Sequence, residues 1–312
     1  MNDLNAMRVF VRVAEAKSFS QAGRLLGLTS SAVSKAVSRL EKEFGVRLLN
    51  RTTRSVGLTN DGLDFFERCR LILADVDEAE SELTQSSLRP RGALRVHMPM
   101  AFGRLVVLPA LAKVIGQHPD LHIDVELGER QIDPAAEGLD AVIRFGNLPN
   151  SALVARKLCD IRFVACASPE YLRQRGTPVA PDELDGHTCL GYVTPWTGHY
   201  REWAFANKGE QISKSVSGQL NVNSAEALRD AAIAGAGVAM IGDFVVHEAV
   251  NSGALQVVLR GYIARPVPVS VLFLPVKERA PRLRWFLEVL EAAIPNPTPW
   301  AQVGHDPRRS DC

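Results

Sequence analysis

From Phe19 to Leu40 the apolar residues fall into two runs at helical spacing, separated by a break. Ala22, Leu25 and Leu26 form the stripe of the first run, Gly27-Leu28-Thr29 interrupts the period, and Ala32, Val33, Val37 and Leu40 form the stripe of the second. This spacing predicts two helices crossing steeply over a short turn. Thr29 or Ser30 would cap the second helix, and Ser18 or Ser20 would cap the first against a phosphate. The other face of the second helix carries Ser31, Ser34, Lys35, Ser38 and Arg39, with Ser30 at its start. Short hydroxyls donate to or accept from base edges, and a long cation reaches guanine O6 and N7, so the face suits a DNA major groove. A solvated helix face explains the same residues taken one at a time.

Charge changes that balance. The chain as a whole carries +1, yet residues 1–60 hold Arg8, Arg12, Lys17, Arg24, Lys35, Arg39, Lys42, Arg47, Arg51 and Arg54 against Asp3, Glu15, Glu41 and Glu43. A polyanion responds to local charge, within a Debye length of about 8 Å. Arg51-Thr52-Thr53-Arg54 followed by Val56-Gly57-Leu58-Thr59 reads as a short hairpin with basic residues at its tip. Such a wing grips phosphates or a minor groove.

Next comes a stretch without proline, Asp61 to about Ser86, with Phe66, Cys69, Leu73, Val76 and Leu83 at three- and four-residue steps and Phe65, Ile72 and Ala79 beside them. Its polar positions are mostly acidic, which disfavours a path along DNA. The stripe predicts a dimerisation helix, since pairing two reading modules sets two half-sites in register. A helix packed only on its own domain is the alternative.

After Pro90-Arg91-Gly92, a linker signal, short β-type runs alternate with helical ones as far as Ile294. Examples are Leu94 to His97, Gly103 to Gln117, Ile123 to Leu127, Ala141 to Arg144, Phe163 to Ala167, Val238 to Ile241, Phe244 to Ser252 and Val267 to Leu274. Alternation of this kind means open α/β sheets, which bind ligands beyond the carboxyl ends of their strands. The length and the 46% hydrophobic content leave room for two or three domains with real cores.

The run Phe10 to Ala22, then Ser31 to Lys35, Leu40-Glu41, Gly45-Val46, Leu48 to Thr52 and Leu58-Thr59, resembles the amino-terminal domain of LysR-type transcriptional regulators. Gly23 departs from the Ala common there, and Gly in a helix costs about 1 kcal/mol relative to Ala. The resemblance continues through Asp140 to Gly146, Ala167 to Leu172, Gly176 to Pro178, His187 to Leu190 and Gly235 to Ala239. The Asn50 to Arg54 wing and the Ile143-Arg144-x-Gly146 pattern point to one large subgroup. The resemblance implies a winged helix-turn-helix (1–60), a linker helix (61–91) and an α/β effector domain (92–294) similar to periplasmic solute-binding proteins. Within that domain one subdomain spans 92–162 plus 267–294 and the other 163–266, with an effector cleft between them. It also implies a homodimer or homotetramer.

Strand ends and helix starts supply candidate effector contacts. Pro99-Met100-Ala101-Phe102 opens a helix whose free N–H groups suit an anion, and Arg144, followed by Phe145 and Gly146, suits a carboxylate. From the other subdomain come Trp196, His199 and Tyr200, Asn223 and Ser224, and Asp243 and Phe244. Together they predict a small anionic or aromatic effector. Packing alone accounts for Phe102 and Trp196, and an ion pair for Arg144.

Neither catalysis nor a cofactor is expected. Gly235-x-Gly237 follows a helix and precedes a strand, the reverse of a phosphate loop, and Pro119 separates His118 from His122. Five scattered cysteines, Cys69, Cys159, Cys166, Cys189 and Cys312, suit a reducing cytoplasm. A thiol switch at Cys166 and Cys189 is the competing regulatory reading, and a solute-binding module or enzyme with a basic dimerisation domain is another. The expected partners are double-stranded DNA, a small effector, further copies of the chain and RNA polymerase. No membrane is expected, the expected location is the cytoplasm, and a Pro-rich tail from 295 to 312 is expected to be disordered.

Overall fold

The computed structural model describes residues 4–51, 56–83, 89–130, 132–146, 152–194, 198–207, 209–216 and 218–303. Two compact units divide it, Met1–Leu88 and Arg89–Cys312.

In the first unit α1 (Leu4–Ala16), α2 (Phe19–Leu26) and α3 (Ser30–Phe44) precede a hairpin of β1 (Leu49–Arg51) and β2 (Val56–Leu58), and α4 (Asn60–Leu83) follows. Ser18 caps α2, its Oγ accepting from the Gln21 N–H at 3.3 Å, and Thr29 caps α3 by accepting from the Ala32 N–H at 3.2 Å. Gly27 takes the left-handed conformation (φ 66°) that ends α2. Gly23 is required by the crossing itself, because a Cβ there would lie 2.6 Å from the Leu28 carbonyl oxygen. Val33, Val37 and Leu40 are buried as their spacing predicts, together with Phe10, Val13 and Ala22. Leu25 is a correction: it is 66% exposed, because α2 turns only Ala22 and Gly23 fully inward. Glu41 Oε1 accepts from the Leu48 and Leu49 N–H groups at 3.0 and 3.1 Å, tying α3 to the hairpin.

The second unit holds two five-stranded mixed sheets. One has the order β4-β3-β5-β14-β6, from β3 (Gly92–Met98), β4 (Leu121–Leu127), β5 (Ala141–Phe145), β6 (Val154–Ile161) and β14 (Val267–Phe273). The other has the order β11-β8-β12-β7-β13, from β7 (Phe163–Ala167), β8 (Cys189–Tyr192), β11 (Asn221–Val222), β12 (Val238–Gly242) and β13 (Gln256–Val258). The hairpin of β9 (Trp203–Asn207) and β10 (Glu210–Lys214) stands beside the second sheet. The chain passes from the first sheet to the second through β6 and returns through β14, and these two strands pair antiparallel.

Helical α5 (Met100–Phe102), a π turn at Gly103–Val107 and α6 (Leu108–Val114) run on as one stretch ending at Gln117, and Phe102, Val107 and Leu111 point into the core. That stretch is long and apolar enough by composition to span a membrane, but its apolar side packs on the first sheet. The second sheet carries α7 (Pro169–Arg175), α8 (Ala225–Ile233) and α9 (Asp243–Asn251), and α10 (Pro281–Ala293) returns to the first.

The expectation of a disordered tail fails for residues 295–303. Trp300 is 3% exposed, packs on Phe244 at 6.1 Å between ring centroids and donates its Nε1–H to the Asp160 carbonyl. Arg260 donates to the Val303 carbonyl at 2.9 Å. A Pro-rich composition predicted disorder, whereas one buried indole and two backbone anchors hold the segment down. Residues 304–312 lie outside the described residues.

Candidate nucleic-acid interface and effector cleft

On α3 the packed face leaves the opposite side to solvent. Ser30, Ser31, Lys35, Ser38 and Arg39 are exposed and Ser34 is half-buried. Ser31 Oγ lies 3.1 Å from Thr29 Oγ1, so its hydroxyl belongs to the cap as well as to the outer face. Ser20 is exposed on α2. Arg51 ends β1, with its side chain outside the described residues, as Thr52, Thr53 and Arg54 are entirely.

The dimerisation stripe needs partial correction. Cys69 and Leu73 are buried in the first unit's own core, and Phe66 packs on Phe10 at 6.5 Å, so α1 already occupies that part of the stripe. Val76 is half-buried, and the Leu83 side chain lies outside the described residues. Among the described side chains of α4, the large apolar ones exposed are Leu63 and Ile72.

In the second unit several candidate effector contacts turn out to be the fastening between the sheets. Phe102 and Phe145 from the first sheet's side and Phe244 from α9 form a triangle of rings with centroids 5.5 to 6.0 Å apart. Phe102 and Phe244 are buried, as are Pro99 and Ala101, so these side chains face protein. Asp243 is fully enclosed and accepts from the Arg162 and Phe244 N–H groups at 3.0 and 2.9 Å, and burial pushes its carboxyl up to about 7. Ser224 is the cap of α8. Gly146 adopts φ 93° and donates its N–H to the Pro268 carbonyl.

Arg144 shares a face of β5 with Val142, away from Phe145, and donates to the Ile132 carbonyl. That face also buries His97, whose ring nitrogens receive no hydrogen bond; burial lowers its pKa, with Glu126 opposing. Met100, His199, Tyr200 and Asn223 are exposed, and Trp196 lies outside the described residues.

A charged group that the sequence reading missed spans the two subdomains. Arg104, in the π turn, pairs with Glu226 Oε1 on α8 at 3.3 Å. Arg201 lies with its guanidinium carbon 4.3 Å from the Tyr192 ring centroid and 5.1 Å from that of Phe163, a cation–π stack. Glu129, just past the end of β4, faces Arg201 and accepts from the Met100 N–H. Burial raises its carboxyl despite those two contacts, and Glu226 adds to the rise. Burial, with Glu129 close by, pushes the Tyr192 hydroxyl up to about 12. The available signal was position: Glu129 follows a strand's carboxyl end and Glu226 opens a helix.

The described cysteines oppose a thiol switch. Burial pushes Cys166 up to about 12 and Cys189 to about 11, and their thiols donate to the Ala239 and Leu184 carbonyls. A thiol held this far above neutral pH supplies little thiolate to react.

A winged helix-turn-helix with an outward polar helix, and a second unit of two α/β subdomains that bring charged side chains together where they meet, point to a DNA-binding regulator with a second, regulatory unit. Residues 4–63 match the family described as bacterial regulatory helix-turn-helix protein, lysR family, and residues 87–295 match the LysR substrate binding domain. The chain is similar to an uncharacterized HTH-type transcriptional regulator, YhjC, of Escherichia coli (strain K12), at 36% identity over 94% of this chain and 98% of that one. It is equally similar to the regulator CrgA of Neisseria meningitidis serogroup C (strain 8013), 36% identical over 93% of this chain and 96% of that one. A solved structure of CrgA from Neisseria meningitidis aligns with a TM-score of 0.60 and 34% identity, covering 94% of this chain and 99% of that one. The chain belongs to the LysR family of transcriptional regulators. It is a DNA-binding regulator with an effector-binding domain, and not an enzyme.

Proposed function

We propose that α3 reads base edges in the major groove through Ser31, Ser34 and Lys35, with Ser30, Ser38 and Arg39 at the margins. Arg51, Thr52, Thr53 and Arg54 hold the wing on the phosphate backbone, and Ser18 and Ser20 flank a phosphate at the start of α2. The observation that carries this reading is the division of α3 into a packed apolar face and an outward face of hydroxyls and cations. Two copies pair along the later part of α4, where Ile72, Val76, Ala79 and Leu83 keep four- and three-residue steps and Ile72 is exposed. The dimer or tetramer works in the cytoplasm, where DNA and RNA polymerase are at hand.

A small effector enters the cleft between the subdomains, at Met100, Glu129, Tyr192, Arg201 and Glu226. Of the two expected effector types, the aromatic one gains support from the ring surfaces of Tyr192 and Phe163. An anionic one would not meet Arg144, which already donates to the Ile132 carbonyl, but would find the cations Arg104 and Arg201 at the same place.

Lys35→Ala is expected to relax base preference at one operator position by about 1–3 kcal/mol, the worth of a good base contact. Arg54→Ala is expected to weaken all sequences alike and flatten the salt dependence. Footprinting titrations at two salt concentrations measure both. Wild-type behaviour in both variants would remove these residues as readers.

A further inference from the structure

We propose that His97 is an acid sensor built into the first subdomain: a proton added to its ring drives the connection between β4 and β5 off the sheet and frees Glu129 from the Met100 N–H. His97 is 3% exposed, and neither Nδ1 nor Nε2 has a hydrogen-bond partner. Buried polar atoms almost always have one, so an imidazole lacking both carries a cost. Strand alternation puts it there. Val96 and Met98 point into the main core, which leaves His97 on the opposite face, between its register partners Glu126 on β4 and Val142 on β5. The connection closes over that face: a Cβ at Gly128 would lie 3.3 Å from His97 Nε2, and Ile132 and Leu139 pack on Val142.

Four charged side chains face the ring. Glu126 from β4 and Glu137 from the connection favour a charged imidazole, whereas Arg130 from the connection and Arg144 from β5 oppose it, and burial opposes it most. Both acids already hold a cation, because Arg130 meets Glu126 at 3.5 Å and Glu137 at 3.0 Å. A neutral ring fits this balanced set, but a charged one brings an uncompensated cation and two N–H donors without an acceptor, which water must supply. The connection is the part that yields. Strand β3 is held by a neighbour on each side, while the connection is fastened by the Gly128 N–H on the Met98 carbonyl, two apolar side chains, exposed ion pairs and the Arg144 bond to the Ile132 carbonyl. Glu129 follows Gly128 and faces Arg201 of the other subdomain, so the movement is passed across. The folded value lies below the ordinary 6.5, so the open form binds the proton more readily. Closure is full above about pH 6.5 and is lost as pH falls through the lowered value.

Amide hydrogen exchange of the full-length chain, with rates normalised for the intrinsic effect of pH, reads both steps. Between about pH 7.5 and about pH 5.5, either side of the ordinary imidazole value, peptides from the connection are expected to lose protection by up to about tenfold per unit, the limit for one proton. Peptides covering Met100 are expected to follow them, and those covering β12 to stay unchanged. His97→Leu removes the proton site and is expected to abolish the response, and His97→Gln, polar and uncharged, answers the same question if the leucine variant does not fold. Glu126→Gln removes an acid that favours the charged ring and is expected to move the response to lower pH, a displacement that a purely structural His97 would not show. A connection whose protection ignores pH in the wild type, or responds equally in the His97 variants, overturns the sensor. A response that leaves Met100 unchanged overturns the link to Glu129.

Discussion

Asp140→Ala is expected to destabilise the second unit by about 3–5 kcal/mol, the cost of breaking a buried ion pair by removing one partner. Asp140 is 4% exposed, and its Oδ1 meets Lys277 Nζ at 2.9 Å and Arg282 Nη2 at 3.0 Å. Its Oδ2 accepts from the Arg95 N–H, and its own N–H donates to the Arg95 carbonyl. One carboxylate therefore ties β3 and β5 to the segment that leads into α10. Its loss leaves Arg282 and Lys277 facing each other, both largely buried, with no counter-charge from Asp140.

Burial alone would raise this carboxyl, but Arg282, Lys277 and the Arg95 N–H outweigh it and hold the pKa below the ordinary range. A folded-state pKa below the unfolded one means that the unfolded chain binds the proton more readily. The stabilisation is thus full above the unfolded value of about 3.9 and is lost as pH falls through the lowered folded value. The four tryptophans, Trp196, Trp203, Trp285 and Trp300, all lie in the second unit, so urea unfolding followed by their fluorescence reports that unit. The expected result is a large fall in the midpoint for Asp140→Ala and a variant stability that depends less on acid. A change below about 1 kcal/mol, the scale of an exposed pair, would reduce Asp140 to a surface contact.

Phe102→Ala is expected to cost about 3–5 kcal/mol, as for other fully buried rings. Phe102 meets Phe145 edge-on at 5.7 Å and Phe244 at 5.5 Å, so one ring joins α5, β5 and α9. Phe244 sits at the start of a helix of the second sheet and is covered by Trp300, which makes the triangle the apolar fastening between subdomains. A double-mutant cycle of Phe102→Ala with Phe244→Ala is expected to give coupling of about 0.5–1.5 kcal/mol. Additive effects would show that the rings merely fill separate spaces. The same measurement separates fastening from ligand contact, because it needs no effector.

The helix-turn-helix was legible because everything that makes it is local. Helical spacing gave its packed face, and Gly27 and Thr29 gave its ends. Leu25 was misread because period alone does not say how wide the buried stripe is, and the close crossing at Gly23 narrows it. In the second unit, β6 escaped notice because Val154 to Lys157 carries no alternation and becomes a strand only by pairing with β14, past an irregularity between Val269 and Ser270.

The meeting of the two subdomains was legible in outline and largely illegible in residues. Strand ends and helix starts pointed to Met100, Ser224 and Phe244, but nothing in the spacing tells a ring that faces a ligand from one that fastens two sheets. Arg144 looked available because its partner is a backbone carbonyl, at Ile132, that no side-chain pattern announces. Glu129, Arg201 and Glu226 come together from separate segments through the meeting of two sheets. Trp300 was lost to the composition of its neighbours, since Pro-rich sequence predicts disorder only where the fold offers no seat for the indole.

The central claim is that the outward face of α3 gives this chain sequence-specific hold on DNA. The most direct test is a titration of the purified full-length chain with the intergenic DNA upstream of its own gene, in the presence of excess scrambled DNA of the same composition. The account predicts a shifted complex that survives the competitor and whose preference over it shrinks on Lys35→Ala. Equal affinity for both DNAs, or no complex at low salt, would contradict it.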